Sequence, residues 1–174
     1  MGALQADEMF ACLDRHGVHY VLIGGLAAVL HGSPLPTLDM DICPSPERSN
    51  LERLAAALRE MEARLRTPDA PEGVRFPCDS DFLGNVQLLN LVTRFGDLDL
   101  SFRPSGTEGF SDLSRGAVEV KLGGRRVAVA ALEDVIRSKQ AANRPKDLRT
   151  LPVLRQLLEE IKKKQARDNP QSDS

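Results

Sequence analysis

The sequence predicts an α/β domain in which a mixed, twisted sheet is flanked by helices and followed by further helices at its C-terminus. An apolar, β-branched run at residues 20–23 suits a buried strand, and it stops at Gly24-Gly25, directly before good helix formers at 26–30. Apolar and acidic residues then alternate over residues 37–43, which is typical of a second strand. With 174 residues, 41% of them hydrophobic, the chain can bury the core of one domain.

The elements on either side of these strands follow from hydrophobic spacing and from breakers. Residues 3–16 predict an amphipathic helix whose apolar positions pack against the first strand. Pro44 and Pro46 end the second strand, and leucines at spacings of three or four predict a long helix over residues 47–65. Residues 66–85 are rich in Pro, Gly and Asp, so a loop with little regular structure is expected there.

The second half of the chain completes the sheet and adds the last helices. Strands are predicted at 86–93 and 98–102, joined by a turn, and residues 104–116 predict a loop with a short helical turn. Gly123-Gly124 indicates a tight hairpin between strands 117–122 and 125–130 at the sheet edge. Helices are expected at 131–142 and 148–164. We therefore expect one domain over residues 1–167, with a core at about 18–130, C-terminal helices within 131–165 and a disordered tail at 168–174.

Composition excludes several classes of protein. No apolar run is long enough to span a membrane, and no basic segment precedes an apolar one at the N-terminus, so a cytoplasmic protein is expected. The three cysteines are widely spaced without a CxxC pair, and the three histidines form no ligand pattern. The sequence therefore predicts neither a disulfide framework nor a zinc site.

Charge is distributed unevenly along the chain. Residues 1–114 contain 9 Lys+Arg and 17 Asp+Glu, whereas residues 115–167 contain 14 Lys+Arg and 6 Asp+Glu. An acidic region that could hold a metal, followed by a basic one, fits a phosphate-rich partner such as a nucleotide or a nucleic acid.

The alternating strand carries the chemistry that the sequence predicts. Asp39 and Asp41 would share one strand face about 6.6 Å apart, where two charges repel by roughly 2.5 kcal/mol at an effective dielectric near 20. A divalent metal held between carboxylates and substrate phosphates would offset that repulsion. Gly24 and Gly25, which open a helix, predict a phosphate cradle beside it.

These motifs resemble the signature of the nucleotidyltransferase superfamily of DNA polymerase β. The matching segments are residues 23–25 and 38–42, with thirteen residues between Gly25 and Asp39. The resemblance implies the nucleotidyltransferase fold and a third metal-binding carboxylate on a neighbouring strand. Asp99, which lies between Leu98 and Leu100, is the predicted third carboxylate. Asp97 is the alternative, because residues two apart on a strand point to the same face.

A basic stretch between the last two predicted helices narrows the resemblance to the AbiEii-like and MenT-like toxins of bacterial toxin-antitoxin systems. These toxins pair the Gly-Gly and Asp-x-Asp motifs with a downstream lysine and an Arg-x-Lys-Asp motif, which Lys139 and residues 144–147 match. The resemblance implies catalytic roles for Lys139 and Asp147, beside the three aspartates that hold the metal. The residues implied to bind the nucleoside triphosphate are Gly24, Gly25, Thr37, Lys139, Arg144 and Lys146.

The resemblance also implies an activity and partners. It implies Mg²⁺-dependent transfer of a nucleoside monophosphate from a nucleoside triphosphate to the 3′ end of a tRNA, with Mn²⁺ as an alternative metal and a cognate antitoxin as partner. Two departures limit how far the properties of the family are expected to apply: Leu35 occupies a position at which many relatives have arginine, and the chain is not expected to carry the additional C-terminal helical domain of larger members.

Other functions remain open at this point. A protein-adenylylating enzyme would use the same three carboxylates, and a degenerate fold could serve as a nucleotide-binding or assembly module. An antibiotic nucleotidyltransferase is a further alternative, although the basic later region argues against an acidic pocket for a cationic drug. The sequence leaves the nucleotide, the acceptor and the oligomeric state open.

Overall fold

The computed structural model describes residues 3–170, which form seven helices and one eight-stranded sheet. In chain order the elements are α1 (Ala6–Arg15), β1 (Tyr20–Ile23), α2 (Gly24–Leu30), β2 (Asp39–Pro44), α3 (Arg48–Glu60), β3 (Arg64–Thr67), β4 (Ala70–Val74), α4 (Ser80–Leu83), β5 (Leu88–Thr93), β6 (Gly96–Ser101), α5 (Phe110–Gly116), β7 (Val118–Leu122), β8 (Arg125–Val129), α6 (Leu132–Ala142) and α7 (Pro145–Asp168). The predicted mixed α/β architecture is confirmed.

The sheet mixes parallel and antiparallel pairs in the order β4-β3-β5-β6-β2-β1-β8-β7. β2 runs parallel to β6 and antiparallel to β1, while β1 runs parallel to β8. The β7–β8 hairpin places β7 at the sheet edge, as the Gly123-Gly124 turn predicts. The strands that carry the acidic residues are therefore neighbours at the centre of the sheet.

One face of the central strands lies in the hydrophobic core. Met40 and Ile42 on β2, and Leu98 and Leu100 on β6, are fully buried. They belong to one core cluster with the apolar residues of α1 and α3. Because side chains alternate along a strand, the aspartates between them point to the opposite face.

Residues 66–85 are more ordered than the sequence predicts, and the expectation of a loop is wrong. β3 and β4 form an antiparallel hairpin there, and α4 follows it. β4 is an edge strand, where Pro71 and Gly73 are tolerated because they interrupt no second ladder of hydrogen bonds. A composition typical of loops therefore conceals a strand pair.

Two other expectations of local structure are wrong. The helix predicted over residues 47–65 ends at Glu60, because the chain turns through Glu62, whose φ is +55°, to pair β3 with β5. The strand predicted over residues 37–43 begins only at Asp39, and Leu38, before it, is 86% exposed.

The last helix extends beyond its predicted bounds, whereas α6 lies within them. α7 begins at Pro145 rather than at residue 148, with Arg144 as its N-cap, and it continues to Asp168. Residues 171–174 of the expected tail lie outside the described residues. Within residues 3–170, the structure contains no helix with the length and apolarity that a membrane crossing requires.

Candidate active site

Three carboxylates converge on the face of the sheet that points away from the core. The parallel register of β2 and β6 sets Asp41 opposite Asp99, and Asp39 lies two residues away on the same face. A carboxylate oxygen from each of the three lies within 4.8 Å of the others. The three residues that were predicted to hold a metal are thus brought together by strand pairing.

The alternative third carboxylate has a different partner. Asp97 lies opposite Asp39 in the β2–β6 register, but its side chain forms an ion pair with Arg66 of β3. Arg66 also contacts Asp99, with 3.3 Å between Nη2 and Oδ1. The geometry therefore groups Asp99, rather than Asp97, with the Asp-x-Asp pair.

Sequence reasoning missed Arg66 because it lies in the segment predicted to be a loop. Arg64 and Arg66 alternate with Leu65 on β3, and this period of two was the available signal. The guanidinium of Arg66 reaches across β5 to the acidic residues of β6. It supplies positive charge at one end of the carboxylate cluster.

Burial and mutual repulsion perturb the acidity of this cluster. Burial, followed by the charge of Asp39, raises the pKa of Asp41 to about 6, although Lys146 and Lys139 act in the opposite direction. Burial and the charges of Asp41 and Asp39 raise the pKa of Asp99 to about 8, against the opposing effect of Arg66. The charged form of the cluster is therefore disfavoured near neutral pH unless a cation neutralises it.

A divalent metal fits this donor set. Hard carboxylate oxygens are the ligands that Mg²⁺ and Mn²⁺ prefer, and the repulsion among the three groups is what a bound dication would relieve. Asp39, Asp41 and Asp99 could hold such an ion.

Gly24 lies directly against this cluster. Its φ is +70°, and a Cβ added there would lie 2.5 Å from Oδ2 of Asp41. A Cβ on Gly25 would meet Oγ1 of Thr37 at 3.1 Å, and that hydroxyl donates a hydrogen bond to the backbone oxygen of Asp39 at 3.0 Å. The glycines therefore let the start of α2 approach the carboxylates more closely than any side chain would allow.

The basic stretch forms a second part of the site. Asp147 is fully buried at the start of α7, and its carboxylate accepts hydrogen bonds from the backbone N–H and the Nε of Arg144, at 3.2 and 2.7 Å. Lys139 Nζ lies 3.6 Å from its other oxygen. Burial raises the pKa of Asp147, but these partners outweigh burial and hold the pKa below its usual range. Asp147 thus joins Arg144 and Lys139 at the α6–α7 junction, and it is the third helical residue of α7 rather than its cap.

The basic residues lie near enough to the acidic cluster for their charges to act on it. The charges of Lys146 and Lys139 both act on the carboxylate of Asp41, although α6 and α7 follow β2 by about a hundred residues. The fold therefore sets cations beside a metal-binding carboxylate cluster, as a polyanionic substrate would require.

A groove lies over β3 and β5, the part of the sheet next to β6. Arg64, Val92 and Asp97 occupy one row across β3, β5 and β6, and Arg64 and Val92 line a groove of about 730 Å³. The charged residues that line the groove are Arg59, Glu62, Arg64, Glu72, Arg75 and Arg94. Arginine outweighs glutamate there, so the groove favours an anionic occupant.

The raised pKa values of Asp41 and Asp99 predict how stability depends on pH. Because Asp41 and Asp99 bind protons more tightly in the folded chain than in the unfolded one, stability without metal should fall as pH rises from 5 to 8. Mg²⁺ should restore it at pH 8, because the ion binds the ionised carboxylates. Thermal denaturation at four pH values, with and without Mg²⁺, measures both effects.

The matched control is the double variant Asp41→Asn with Asp99→Asn. It should flatten the fall of melting temperature between pH 5 and 8 and abolish the stabilisation by Mg²⁺. A wild-type melting temperature that rises steadily over this range without metal would contradict the assignment.

Comparison with solved structures identifies the fold. The chain is similar to the lincomycin-bound lincosamide antibiotic adenylyltransferase LnuA, with a TM-score of 0.59, 15% identity and coverage of 90% of this chain and 99% of that one. It is also similar to ANT(2")-Ia in complex with adenylyl-2"-tobramycin, with a TM-score of 0.55, 16% identity and coverage of 87% and 86%. A candidate nucleotidyltransferase of Thermotoga maritima matches with a TM-score of 0.51, 19% identity and coverage of 88% and 90%.

These likenesses show that the chain has the nucleotidyltransferase fold. At the level of sequence, no family model and no curated protein matches the chain.

Proposed function

We propose that the chain is a Mg²⁺-dependent nucleotidyltransferase that moves a nucleoside monophosphate from a nucleoside triphosphate to a hydroxyl acceptor and releases pyrophosphate. The observation that carries the proposal is the convergence of Asp39, Asp41 and Asp99 beside Gly24, with lysines from α6 and α7 acting on the same cluster. Structures with the same fold include enzymes that adenylylate antibiotics.

Each part of the site has a role in this reaction. Asp39, Asp41 and Asp99 hold one or two divalent ions, which when bound offset the charge of the triphosphate. Gly24 and Gly25 leave room for the phosphates beside the carboxylates. Thr37, Lys139, Arg144 and Lys146 belong to the nucleotide side of the site. The predicted catalytic residue Asp147 acts from its buried position by holding Arg144 and Lys139.

The bond changes follow from this arrangement. The acceptor oxygen forms a bond to the α-phosphorus, the bond from that phosphorus to the β-phosphate oxygen breaks, and the hydroxyl proton passes to a base. Asp99, opposite Asp41 on the neighbouring strand, is the residue that would favour deprotonation of the attacking hydroxyl. Lys139 and Lys146 stabilise the negative charge that accumulates on the leaving pyrophosphate.

We propose the 3′ end of a tRNA as the acceptor, with the protein acting as the toxin of a toxin-antitoxin pair. Two features support this proposal: the Arg144–Asp147 motif at the basic corner, and the arginine-lined groove that starts in the same row as Asp97. A polyanionic acceptor would find favourable charge along that groove. A cognate antitoxin would then suppress the activity.

An antibiotic hydroxyl is the second candidate acceptor, and the comparisons favour it. LnuA was solved with lincomycin and ANT(2")-Ia with an adenylylated tobramycin. The arginine-lined groove argues against a polycationic drug such as tobramycin, but it does not oppose a lincosamide.

One labelling experiment separates these functions. Purified protein is incubated with Mg²⁺ and each labelled nucleoside triphosphate in turn, in the presence of total tRNA, cell lysate, lincomycin or tobramycin. Label on tRNA supports the toxin, label on a drug supports antibiotic modification, and label on protein supports adenylylation of a protein target. Nucleotide binding without any transfer would make the chain a binding module and overturn the proposal.

Replacing Lys146 by alanine should raise the KM for the nucleoside triphosphate about tenfold. The change removes one cation that acts on the carboxylate cluster and, in the proposal, on the phosphates, which corresponds to about 1.4 kcal/mol of binding. Steady-state kinetics with varied nucleotide measures the effect. Lys163→Ala, an exposed position farther along α7, is the control and should leave KM unchanged. An unchanged KM in Lys146→Ala would remove that residue from the nucleotide site.

A further inference from the structure

A second group of metal-ligating side chains lies where α1 meets α3, apart from the acidic cluster. Cys12 lies in α1, and His16, four residues later, is the C-cap of that helix with helical dihedrals, so both side chains lie on one side of it. Glu60 is the last residue of α3. Their donor atoms, one sulfur, one imidazole nitrogen and one carboxylate oxygen, lie within 4.8 Å of one another. The spacing of cysteines and histidines predicts no zinc site, but the fold supplies a third donor, Glu60, 44 residues after His16.

Cys12 and His16 both contact the same oxygen of Glu60. Cys12 Sγ lies 3.1 Å from Oε2 of Glu60, and Nε2 of His16 lies 2.6 Å from the same oxygen. Arg15 contacts the other oxygen, Oε1, at 2.5 Å. One carboxylate oxygen is thus shared by a thiol and an imidazole, while Arg15 fixes the orientation of the group from behind.

We propose that Cys12, His16 and Glu60 bind a zinc ion, with water as the fourth ligand. In a tetrahedral zinc site, ordinary bond lengths place sulfur about 3.6 Å and nitrogen about 3.4 Å from a carboxylate oxygen. The observed separations are shorter, so the ligands must move apart by less than about 1 Å to admit the ion. The side chains of His16 and Glu60 are 29% and 42% exposed, which leaves them free to move and opens a path for the ion.

Ligand chemistry separates this site from the acidic cluster. A thiolate, a neutral imidazole and a carboxylate together balance the charge of Zn²⁺, and soft sulfur and nitrogen donors select zinc over magnesium. The cluster of Asp39, Asp41 and Asp99 offers oxygen alone. A zinc ion at Cys12 would tie α1 to α3 and stabilise the packing of both helices.

Cobalt substitution tests the site directly on the full chain. Reduced, metal-free protein is titrated with Co²⁺, whose thiolate charge-transfer absorption reports a cysteine ligand, and Zn²⁺ is then added as competitor. One equivalent of Co²⁺ should produce the band, and one equivalent of Zn²⁺ should remove it and raise the melting temperature. Cys12→Ser and His16→Gln should each weaken Zn²⁺ binding at least about 100-fold.

Two control variants keep the result specific. Cys78→Ser changes a cysteine elsewhere in the chain and should leave the band intact, as should Asp41→Asn, which alters the acidic cluster. His16→Gln changes a partly exposed residue, so its folding, checked by circular dichroism, is not expected to suffer.

Three outcomes would overturn the proposal. The first is absence of a thiolate band in the wild type, and the second is equal Zn²⁺ affinity in the wild type and His16→Gln. The third is loss of zinc binding in Asp41→Asn alone. In each case the three side chains would form only a hydrogen-bonded tie between α1 and α3.

Discussion

Replacing Asp41 by asparagine is expected to lower kcat for nucleotidyl transfer by at least about 10³-fold while raising the melting temperature. Asparagine keeps the shape of the side chain but removes a charged ligand from the centre of the carboxylate cluster, between Asp39 and Asp99. A loss of about 4 kcal/mol of transition-state stabilisation corresponds to that factor.

The gain in stability follows from the same environment. Burial and the charge of Asp39 raise the pKa of Asp41 to about 6, so at pH 8 the folded chain carries a carboxylate that its surroundings disfavour. The cost relative to the unfolded chain is on the order of 3 kcal/mol. Removing the charge should therefore raise the melting temperature of metal-free protein by about 6–12 °C.

The measurement pairs transfer assays with thermal denaturation at pH 8. Asp69→Asn, the same substitution at an exposed position between β3 and β4, should change neither quantity. Asp39→Asn should lose activity as Asp41→Asn does. Full transfer activity in Asp41→Asn would show that the metal assignment is wrong.

The acidic residues of the site could be predicted because the sequence pattern that identifies them is local. Asp39 and Asp41 alternate with buried residues on one strand, and Asp99 does the same on another. Because side chains alternate between the two faces of a sheet, this pattern alone places all three aspartates on the face away from the core. Placing the two strands side by side required the resemblance, since no local signal states that β2 and β6 are neighbours. Strand pairing at a distance of about 60 residues is a property of the whole fold.

The residues that were missed depend on tertiary structure. Arg66 reaches the cluster only because β3 pairs with β5, and a composition rich in Pro and Gly hid that strand. Cys12 and Glu60 meet because α1 packs on α3. A local pattern can indicate the strand that carries Arg66, but it cannot indicate which element that strand or α1 packs against, because the partners lie on separate elements.

Gly24→Ala is expected to abolish transfer and to lower the melting temperature. Gly24 has a φ of +70°, a conformation that costs an alanine about 1–2 kcal/mol. The new Cβ would also lie 2.5 Å from Oδ2 and 2.9 Å from Cγ of Asp41, so the carboxylate would have to move. A displacement of that ligand by about 1 Å is enough to cost roughly 10²-fold or more in rate.

Gly124→Ala is the control that distinguishes the effect of backbone strain from the effect of a steric clash with Asp41. Gly124 also has a positive φ, +79°, but no atom lies within 4 Å of the position that its Cβ would take. Both variants should therefore melt at lower temperature, whereas kcat should collapse only in Gly24→Ala. If the two variants retain equal transfer activity, close packing of Gly24 against Asp41 has no part in catalysis. The proposal that Gly24 and Gly25 form a phosphate cradle beside the carboxylates would then be wrong.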